Sequence, residues 1–291
     1  MSQQELQAIV AQMEQMPPLG SLPIAQQRDM TEQMLAAGSI APGIWALPEK
    51  RNGDRVMLYL HGGTYVVGSA RGYRSMASQL AALSGAKVFI ADYRLAPEHP
   101  FPAVIDDALA VYRGLLDSGV NPGNIVVAGD SAGGGLSMAL LLAARDAGLP
   151  QPAAVALMSP WVDMTQSGAS WRTKKSADPL LGRLDEGSSM AESYLNGADP
   201  RHPLASPLLA ELYDLAPILI QVGSSECLPD DATALAARLA AADVKVVLDV
   251  WPLMIHVFQG MGDHLTEGRA AITAMADFLD TYWPAGTAVS R

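Results

Sequence analysis

The sequence lacks the features that define several classes of protein. Cys227 is the only cysteine, so an intrachain disulfide and a cysteine-rich metal site are both excluded. The N-terminus has no cationic region followed by an apolar run, and no stretch approaches the roughly 18 apolar residues of a membrane span. These absences predict a cytoplasmic protein that is not bound to a membrane.

Positive charge is also scarce. The chain has 19 Lys and Arg against 30 Asp and Glu, which gives a formal net charge of −11. Nucleic acids and anionic membranes attract proteins with a basic surface, so neither is an expected partner. We expect instead a small, neutral and fairly apolar substrate.

The composition is that of a globular protein. Apolar residues make up 49% of the chain and charged residues 17%, while its 26 glycines and 20 prolines are spread along its length. A chain of 291 residues can bury a large core. We predict a single domain that covers residues 1–291.

Short apolar runs alternate with longer helical segments from residue 55 onwards. Runs rich in Val, Ile and Leu are typical of strands buried on both faces, and their alternation with helices favours a mostly parallel sheet between helical layers. The predicted class is therefore α/β. Strands are predicted at 56–60, 87–91, 124–128, 153–158, 218–222 and 244–250, and helices at about 72–84, 103–117, 132–147, 230–242 and 268–282.

Two regions fall outside this alternation. Residues 2–16 have apolar side chains at helical spacing, and a second short helix is predicted around residues 30–35. Residues 162–212 are rich in polar, small and proline residues, and form too long a segment for a plain loop in a compact domain. We interpret residues 1–40 and 162–212 as a cap over the C-terminal edge of the sheet.

Ser131 lies in the motif Gly-Asp-Ser-Ala-Gly-Gly at 129–134, between a predicted strand and a predicted helix. G-x-S-x-G in this context is the nucleophile elbow, a sharp turn that exposes the serine oxygen. The helix N-terminus behind it favours developing negative charge. A glycine-rich turn or a phosphate-binding loop would explain the motif alone, but not the histidine and acid downstream. Ser131 is therefore the predicted nucleophile.

The histidine of such a site should follow a late strand of the sheet. A histidine between apolar residues is more often a buried core residue than a catalyst. His256, however, comes just after the last predicted strand and is the predicted general base. Of the other histidines, His61 lies in the glycine loop after the first strand, His99 in a proline-rich segment, His202 in the segment 162–212 and His264 in a terminal loop.

Three carboxylates compete to orient this histidine, and all follow the predicted strand at 218–222. Either Asp or Glu can orient an imidazole and stabilise its protonated form. Asp230 and Asp231 follow Pro229 at a predicted helix start, where acidic residues commonly cap the helix. Glu226 is nearest the strand end and is our candidate.

His61-Gly62-Gly63-Thr64 directly follows the first strand of the alternation. In hydrolases of this design, the amide after the nucleophile and amides from an HGG loop together form the oxyanion hole. Here the first of these is Ala132. A plain glycine turn would explain the loop alone, but its combination with the elbow favours the catalytic interpretation.

These motifs together resemble the hormone-sensitive-lipase-like (family IV) bacterial esterases of the α/β-hydrolase superfamily, and especially monoterpene-lactone-hydrolase-like esterases. The resemblance covers about residues 55–283 and includes Asp-Tyr-Arg-Leu-Ala-Pro-Glu-His-Pro-Phe-Pro-Ala at 92–103 and Ser-Pro-Trp at 159–161. It implies an α/β-hydrolase fold with a helical cap, and a homodimer formed through a sheet edge. It also implies a triad of Ser131, Glu226 and His256, and an oxyanion hole built from the amides of Gly62, Gly63, Thr64 and Ala132.

The sequence departs from the family pattern at two positions. Thr64 stands where the family usually has a further glycine, and Glu226 stands where many members have aspartate. The β-branched Thr64 still has an amide donor but restricts the backbone.

The predicted activity is that of a serine carboxylesterase acting on small, short-acyl esters through an acyl-enzyme, without a metal or organic cofactor. A lactonase or amidase with the same machinery is the alternative. A non-catalytic ligand-binding homologue is disfavoured, because such a protein should have lost a triad residue or the glycines of the loop.

Overall fold

A computed structural model describes residues 2–14, 44–183, 189–262 and 264–284. Within these residues the chain forms a seven-stranded sheet in the order β1-β3-β2-β4-β5-β6-β7. Only β1 runs antiparallel to its neighbour. The strands are β1 Ile44–Ala46, β2 Val56–Leu60, β3 Lys87–Ile90, β4 Ile125–Asp130, β5 Ala154–Met158, β6 Ile218–Gly223 and β7 Val246–Trp251.

Helices connect the parallel strands from β2 to β7, as the alternation predicted. The α-helices are α1 Ser2–Glu14, α2 Arg74–Ser84, α3 Ala103–Asp117, α4 Ala132–Asp146, α5 Ser170–Thr173, α6 Ser189–Leu195, α7 Pro229–Ala241 and α8 Thr266–Asp280. Short 3₁₀ helices lie at Pro122–Asn124, Lys175–Ala177, Leu181–Arg183, Pro207–Leu209 and Phe258–Met261.

The central strands β2, β4, β5 and β6 are buried on both faces, which explains their near-continuous apolar runs. In β2, Leu58 and Leu60 pack into one core cluster with side chains of α3, α4 and α7. Met57 and Tyr59 point the other way, into a cluster with side chains of α2 and α8. Alternate side chains of a strand face opposite sides of the sheet, so each central strand contributes to both layers.

The predicted fold class is confirmed. Each predicted strand corresponds to one of the strands β2 to β7, and the bounds differ by at most two residues at either end. No strand was predicted at β1, which has three residues and lies at the sheet edge. A strand so short leaves no periodicity to detect. The segment 162–212 contains α5, α6 and three of the 3₁₀ helices within its described residues.

The N-terminal helix α1 packs on the segment that follows β7. Leu6 is buried against Met254, Ile255 and Phe258. The Glu5 carboxylate also accepts a hydrogen bond from the Thr266 hydroxyl at 3.2 Å. The second predicted N-terminal helix lies outside the described residues.

Among the helices that the structure describes, none has both the length and the apolar character needed to cross a bilayer.

Candidate active site

Ser131 occupies the turn between β4 and α4. Its φ of 52° and ψ of −123° are strained for a residue with a side chain, as expected for a nucleophile elbow. The turn needs glycine at its flanks. A Cβ on Gly133 would lie 2.0 Å from the Leu60 carbonyl oxygen, and one on Gly129 would lie 2.4 Å from the Gly133 carbonyl oxygen.

The structure brings the three predicted triad side chains together. His256 Nε2 lies 2.9 Å from the Ser131 hydroxyl oxygen, and His256 Nδ1 lies 2.7 Å from Glu226 Oε2. Ser131, Glu226 and His256 each follow the C-terminal end of a parallel strand, namely β4, β6 and β7. These strand ends meet at one edge of the sheet, where open α/β folds commonly bind ligands.

Two further donors hold the Glu226 carboxylate, which is fully buried. Its Oε1 accepts hydrogen bonds from the Gly223 amide at 2.6 Å and from the Ser159 hydroxyl at 2.8 Å. The Val257 amide also donates to the Ser159 hydroxyl oxygen at 3.2 Å. Ser159 therefore links the acid to the residue that follows His256.

The electrostatics of the site favour a protonated imidazole. Burial alone would lower the pKa of His256, but the hydrogen bond and negative charge of Glu226 outweigh it, and Asp178 and Asp130 add to their effect. The net result is a pKa above the ordinary value of 6.5. A histidine with this raised affinity for a proton is suited to accept one from a serine hydroxyl.

The other two candidate acids form their hydrogen bonds elsewhere, and neither caps its own helix. Asp230 accepts a hydrogen bond from the Ser170 amide at 3.0 Å. Asp231 accepts hydrogen bonds from the Val162 and Asp163 amides, both at 3.1 Å. The N-cap position of α7 is Leu228, which makes no side-chain cap. Both aspartates instead tie α7 to the segment after β5.

The loop at 61–64 packs beside the elbow, but one of its predicted donors points elsewhere. The Gly62 amide donates to Asp130 Oδ1 at 2.9 Å, so it is not free to bind an oxyanion. This corrects the prediction for Gly62. The amides of Gly63 and Thr64 are the remaining loop candidates. The Ala132 amide lies in the first turn of α4, where an N–H has no carbonyl partner within the helix.

Sequence reasoning missed the role of Asp130, the residue before Ser131. Its buried carboxylate accepts hydrogen bonds from the hydroxyls of Tyr59 at 2.8 Å and Tyr73 at 2.9 Å, as well as from Gly62. Burial raises the pKa of Asp130, while these three donors oppose that rise. The motif itself could have indicated this role, because a carboxylate buried beside the nucleophile needs hydrogen-bond donors of its own.

No sequence pattern indicated a role for Asp178 either. It lies in the segment 162–212, and its Oδ2 accepts a hydrogen bond from the Cys227 amide at 2.8 Å. Cys227 follows Glu226 directly, so this contact fixes the loop that carries the acid. The same segment therefore helps to build the site, which its irregular sequence did not indicate.

Within the described part of the chain, no group of three or more His, Cys, Asp and Glu side chains is arranged to hold a metal ion.

Comparison with known proteins assigns the chain to a family. A family model described as alpha/beta hydrolase fold matches residues 57–260. The chain belongs to the α/β-hydrolase fold family. The matched residues span the loop at 61–64, the elbow and the segments that carry Glu226 and His256.

Several relatives of this α/β-hydrolase are named as an acetyl-hydrolase or as esterases. An acetyl-hydrolase of Streptomyces hygroscopicus is 48% identical over 237 residues, which are 81% of this chain and 79% of the relative. An esterase of the bacterial hormone-sensitive lipase family has a TM-score of 0.90 at 40% identity, covering 97% of this chain and 99% of that chain. The esterase EstE5, soaked with p-nitrophenyl butyrate, has the same TM-score and identity, with coverages of 96% and 98%.

These matches confirm the resemblance to bacterial hormone-sensitive-lipase-like esterases. The closer likeness to monoterpene-lactone-hydrolase-like esterases stays a prediction.

Proposed function

We propose that this α/β-hydrolase is a serine carboxylesterase that cleaves small, short-acyl esters. The observation that carries the proposal is the buried chain of hydrogen bonds from Ser131 through His256 to Glu226. Each member has the chemical character that its role requires: a hydroxyl nucleophile, an imidazole base and an orienting carboxylate.

In the proposed acylation step, His256 Nε2 accepts the proton of the Ser131 hydroxyl as its oxygen attacks the ester carbonyl carbon. Glu226 holds the proton on Nδ1, which leaves Nε2 free to act as a base. The resulting oxyanion lies near the Ala132 amide and the amides of Gly63 and Thr64. His256 then donates its proton to the departing alcohol, which leaves an acyl group on Ser131.

Deacylation repeats the same steps with water. His256 removes a proton from the water as it attacks the acyl carbon, and the tetrahedral intermediate collapses to release the acid. The proton returns to Ser131, so the enzyme ends in its starting state. No step in this cycle calls for a metal or an organic cofactor.

The names of the relatives favour small acyl groups. One relative is an acetyl-hydrolase and another is an esterase that was soaked with a butyrate ester. We infer an ester with a short acyl chain as the substrate class.

The raised pKa of His256 and the strained φ of Ser131 also support a catalytic role for these two residues, because both features are common at active sites.

Hydrolysis of p-nitrophenyl esters of increasing acyl length tests the proposal, with the wild type and Ser131→Ala measured side by side. Turnover should peak at short chains and fall at least a thousandfold in Ser131→Ala, since removal of a triad nucleophile typically costs about a millionfold. Circular dichroism should show that the variant remains folded. More than a tenth of wild-type activity in Ser131→Ala would exclude it as the nucleophile.

A lactone and an amide measured beside the ester separate the related activities, because the same machinery can attack all three carbonyl groups. The ratios of kcat/KM are the relevant comparison. A lactone or amide preferred over every linear ester would overturn the esterase assignment but keep the triad.

We propose that residues 1–40 and 162–212 act as a cap over the site. Support comes from α1, which packs on the segment carrying His256, and from Asp178, which binds the loop carrying Glu226. Both contacts lie at the edge of the sheet where the triad meets.

We also propose a homodimer that forms through β7. This strand is the last of the sheet, so its outer backbone groups have no neighbouring strand within the described chain. Val247, Leu248 and Val250 on β7 are each more than a third exposed. Exposed apolar edge strands readily pair with another chain.

A further inference from the structure

The carbonyl of Gly63 is held by three donors. It accepts hydrogen bonds from the Thr64 hydroxyl at 2.7 Å, from the Val66 amide at 3.0 Å and from the Val67 amide at 2.9 Å. Two of these donors belong to the backbone of the tight turn, and the third is a side chain. The direction of this carbonyl is therefore fixed from several sides.

A fixed carbonyl also fixes the N–H that follows it. The peptide bond is planar and trans, so its C=O and N–H groups point in opposite directions. When Thr64 Oγ1 and the two amides hold the Gly63 carbonyl on one side of the loop, the Thr64 N–H is directed to the other side.

The two preceding peptides of the loop are fixed in the same manner. The Gly62 carbonyl lies 2.7 Å from His61 Nδ1, which must carry the proton because a carbonyl only accepts. The Gly62 amide donates to Asp130, and the His61 carbonyl accepts from the Tyr93 hydroxyl at 2.5 Å. The loop is thus oriented peptide by peptide beside the residue that precedes Ser131.

Thr64 adopts a backbone conformation that is costly for its type. Its φ of 54° is in the left-handed region, which a β-branched residue rarely adopts. Glycine would occupy this position without strain. Contacts of Thr64 must therefore offset the backbone strain. One of them is the hydrogen bond from its hydroxyl to the Gly63 carbonyl, which neither glycine nor valine can make.

We propose that Thr64 is a positioning residue of the oxyanion hole. Its hydroxyl holds the Gly63 carbonyl away from the reacting carbon and so aims the Thr64 N–H at the oxyanion. This inference rests on the proposed function, and it assigns to the side chain at 64 a task in the transition state rather than in substrate binding.

The test compares Thr64→Val with Thr64→Ser in the full chain. Valine keeps the β-branched shape, and hence a similar backbone strain, but removes the hydroxyl. Serine keeps the hydroxyl and removes the methyl group. The measurements are kcat and KM for p-nitrophenyl butyrate, the inhibition constant of a trifluoromethyl ketone with a short alkyl chain, and the melting temperature. The ketone probes the oxyanion hole because the Ser131 oxygen adds to its carbonyl carbon while the hydroxyl proton passes to His256, which leaves a tetrahedral oxyanion.

Thr64→Val should lower kcat about tenfold with KM within about twofold, a smaller effect than the roughly hundredfold loss seen when an oxyanion donor is removed outright. The ketone should bind more weakly by a similar factor. Thr64→Ser should recover most of the lost kcat and ketone affinity. A kcat of Thr64→Val within twofold of wild type, or an equal loss in Thr64→Ser, would overturn the inference. So would a change confined to KM, since that would assign Thr64 to the substrate pocket.

If Thr64→Val does not fold, Thr64→Ala provides the second test, because it differs from Thr64→Ser only in lacking the hydroxyl that holds the Gly63 carbonyl. The same selective loss of kcat and ketone affinity is expected, and an unchanged kcat would contradict the inference. The outcome is separable from the proposed function. Ester turnover that depends on Ser131 but not on Thr64 refutes only the inference, whereas turnover that survives Ser131→Ala refutes the proposed function.

Discussion

At the scale of single residues, the choice of acid depends on the hydrogen bonds that Glu226 receives. Its Oε1 is held by Gly223 and Ser159, and its Oε2 faces His256 Nδ1. A carboxylate can accept on both oxygens, which an amide cannot. The charge and the tautomer of His256 therefore depend on the same group.

Glu226→Gln should lower kcat on the order of a thousandfold or more, by analogy with the loss seen when a triad aspartate becomes asparagine. The glutamine oxygen would keep the donors Gly223 and Ser159, so its NH₂ group would face His256. The imidazole would then carry its proton on Nε2 and could not act as a base. Ester hydrolysis measures this loss.

Asp230→Asn is the matched control, because Asp230 binds the Ser170 amide rather than His256. We expect its kcat within about threefold of wild type, as for a substitution away from the reacting groups. The opposite order of the two effects would move the acid to Asp230.

The pH dependence of kcat/KM should report the raised pKa of His256. Only neutral His256 can accept the serine proton, so activity should fall as the pH drops through its pKa in the free enzyme. Because that pKa lies above 6.5, the midpoint of the acidic limb should also lie above 6.5. A pH series of kcat/KM with a midpoint below 6.5 would contradict the electrostatic account.

The same shift has the opposite consequence for stability. A histidine whose pKa is raised by folding stabilises the folded state most when it is protonated, below its unfolded pKa. That contribution is lost as the pH rises through the folded pKa. Activity and this part of the stability should therefore change in opposite directions with pH.

At the scale of elements, the start of α7 is tied to the segment after β5 by a buried acid. Asp231 accepts hydrogen bonds from the Val162 and Asp163 amides and from the Trp171 indole. Burial raises the pKa of Asp231 to about 7, and the nearby Asp163 charge adds to this rise against the three donors. The folded state therefore binds this proton at pH values where the unfolded chain has lost it.

Asp231→Asn should remove a pH-dependent part of the folding stability. An acid with a raised pKa stabilises the fold fully below its unfolded value near 3.8, and this contribution is lost as the pH rises to about 7. The free energy of unfolding of the wild type, relative to the variant, should therefore fall between pH 5 and pH 8. Urea denaturation at these two pH values measures it, and a constant difference would contradict the assignment.

The contact between α1 and the segment after β7 gives a second prediction at this scale. Deletion of residues 1–35 removes Leu6 from its cluster with Met254, Ile255 and Phe258. These three residues lie within two positions of His256 in the sequence. Activity or substrate selection should suffer more than the fold of the sheet, since the two core clusters on its faces include none of the α1 side chains that the structure describes. Steady-state kinetics and circular dichroism measure the two effects. Loss of all secondary structure would show that these residues belong to the core.

At the scale of the whole molecule, the exposed apolar side chains of β7 predict a dimer in solution. Replacement of both Leu248 and Val250 by lysine should shift the protein to a monomer, because charged side chains on an edge strand oppose pairing. Light scattering coupled to size-exclusion chromatography gives the mass. Replacement of Trp45 by lysine is the control, since it lies on β1 at the opposite edge. A wild-type monomer would exclude the proposed assembly.

Much of the molecule could be predicted from its sequence because the signals are local. Each central strand is a short apolar run, and each connecting helix has its own periodicity, so the parallel α/β fold could be read without any long-range information. The elbow was equally clear, since its glycines, serine and following helix are adjacent in the chain. The order of serine, acid and histidine then limited the candidates to a few residues.

Only the tertiary structure decided which of these groups meet. Ser131 and His256 are 125 residues apart in sequence, and the three competing carboxylates differ in what the rest of the fold brings to them. Ser159, Asp178 and Asp130 acquire their contacts from strands and loops distant in sequence, and Gly62 loses its predicted role through one such contact. Composition and spacing determined the fold and the chemistry available. The direction of each hydrogen bond was decided by packing, because it depends on atoms that no local pattern places.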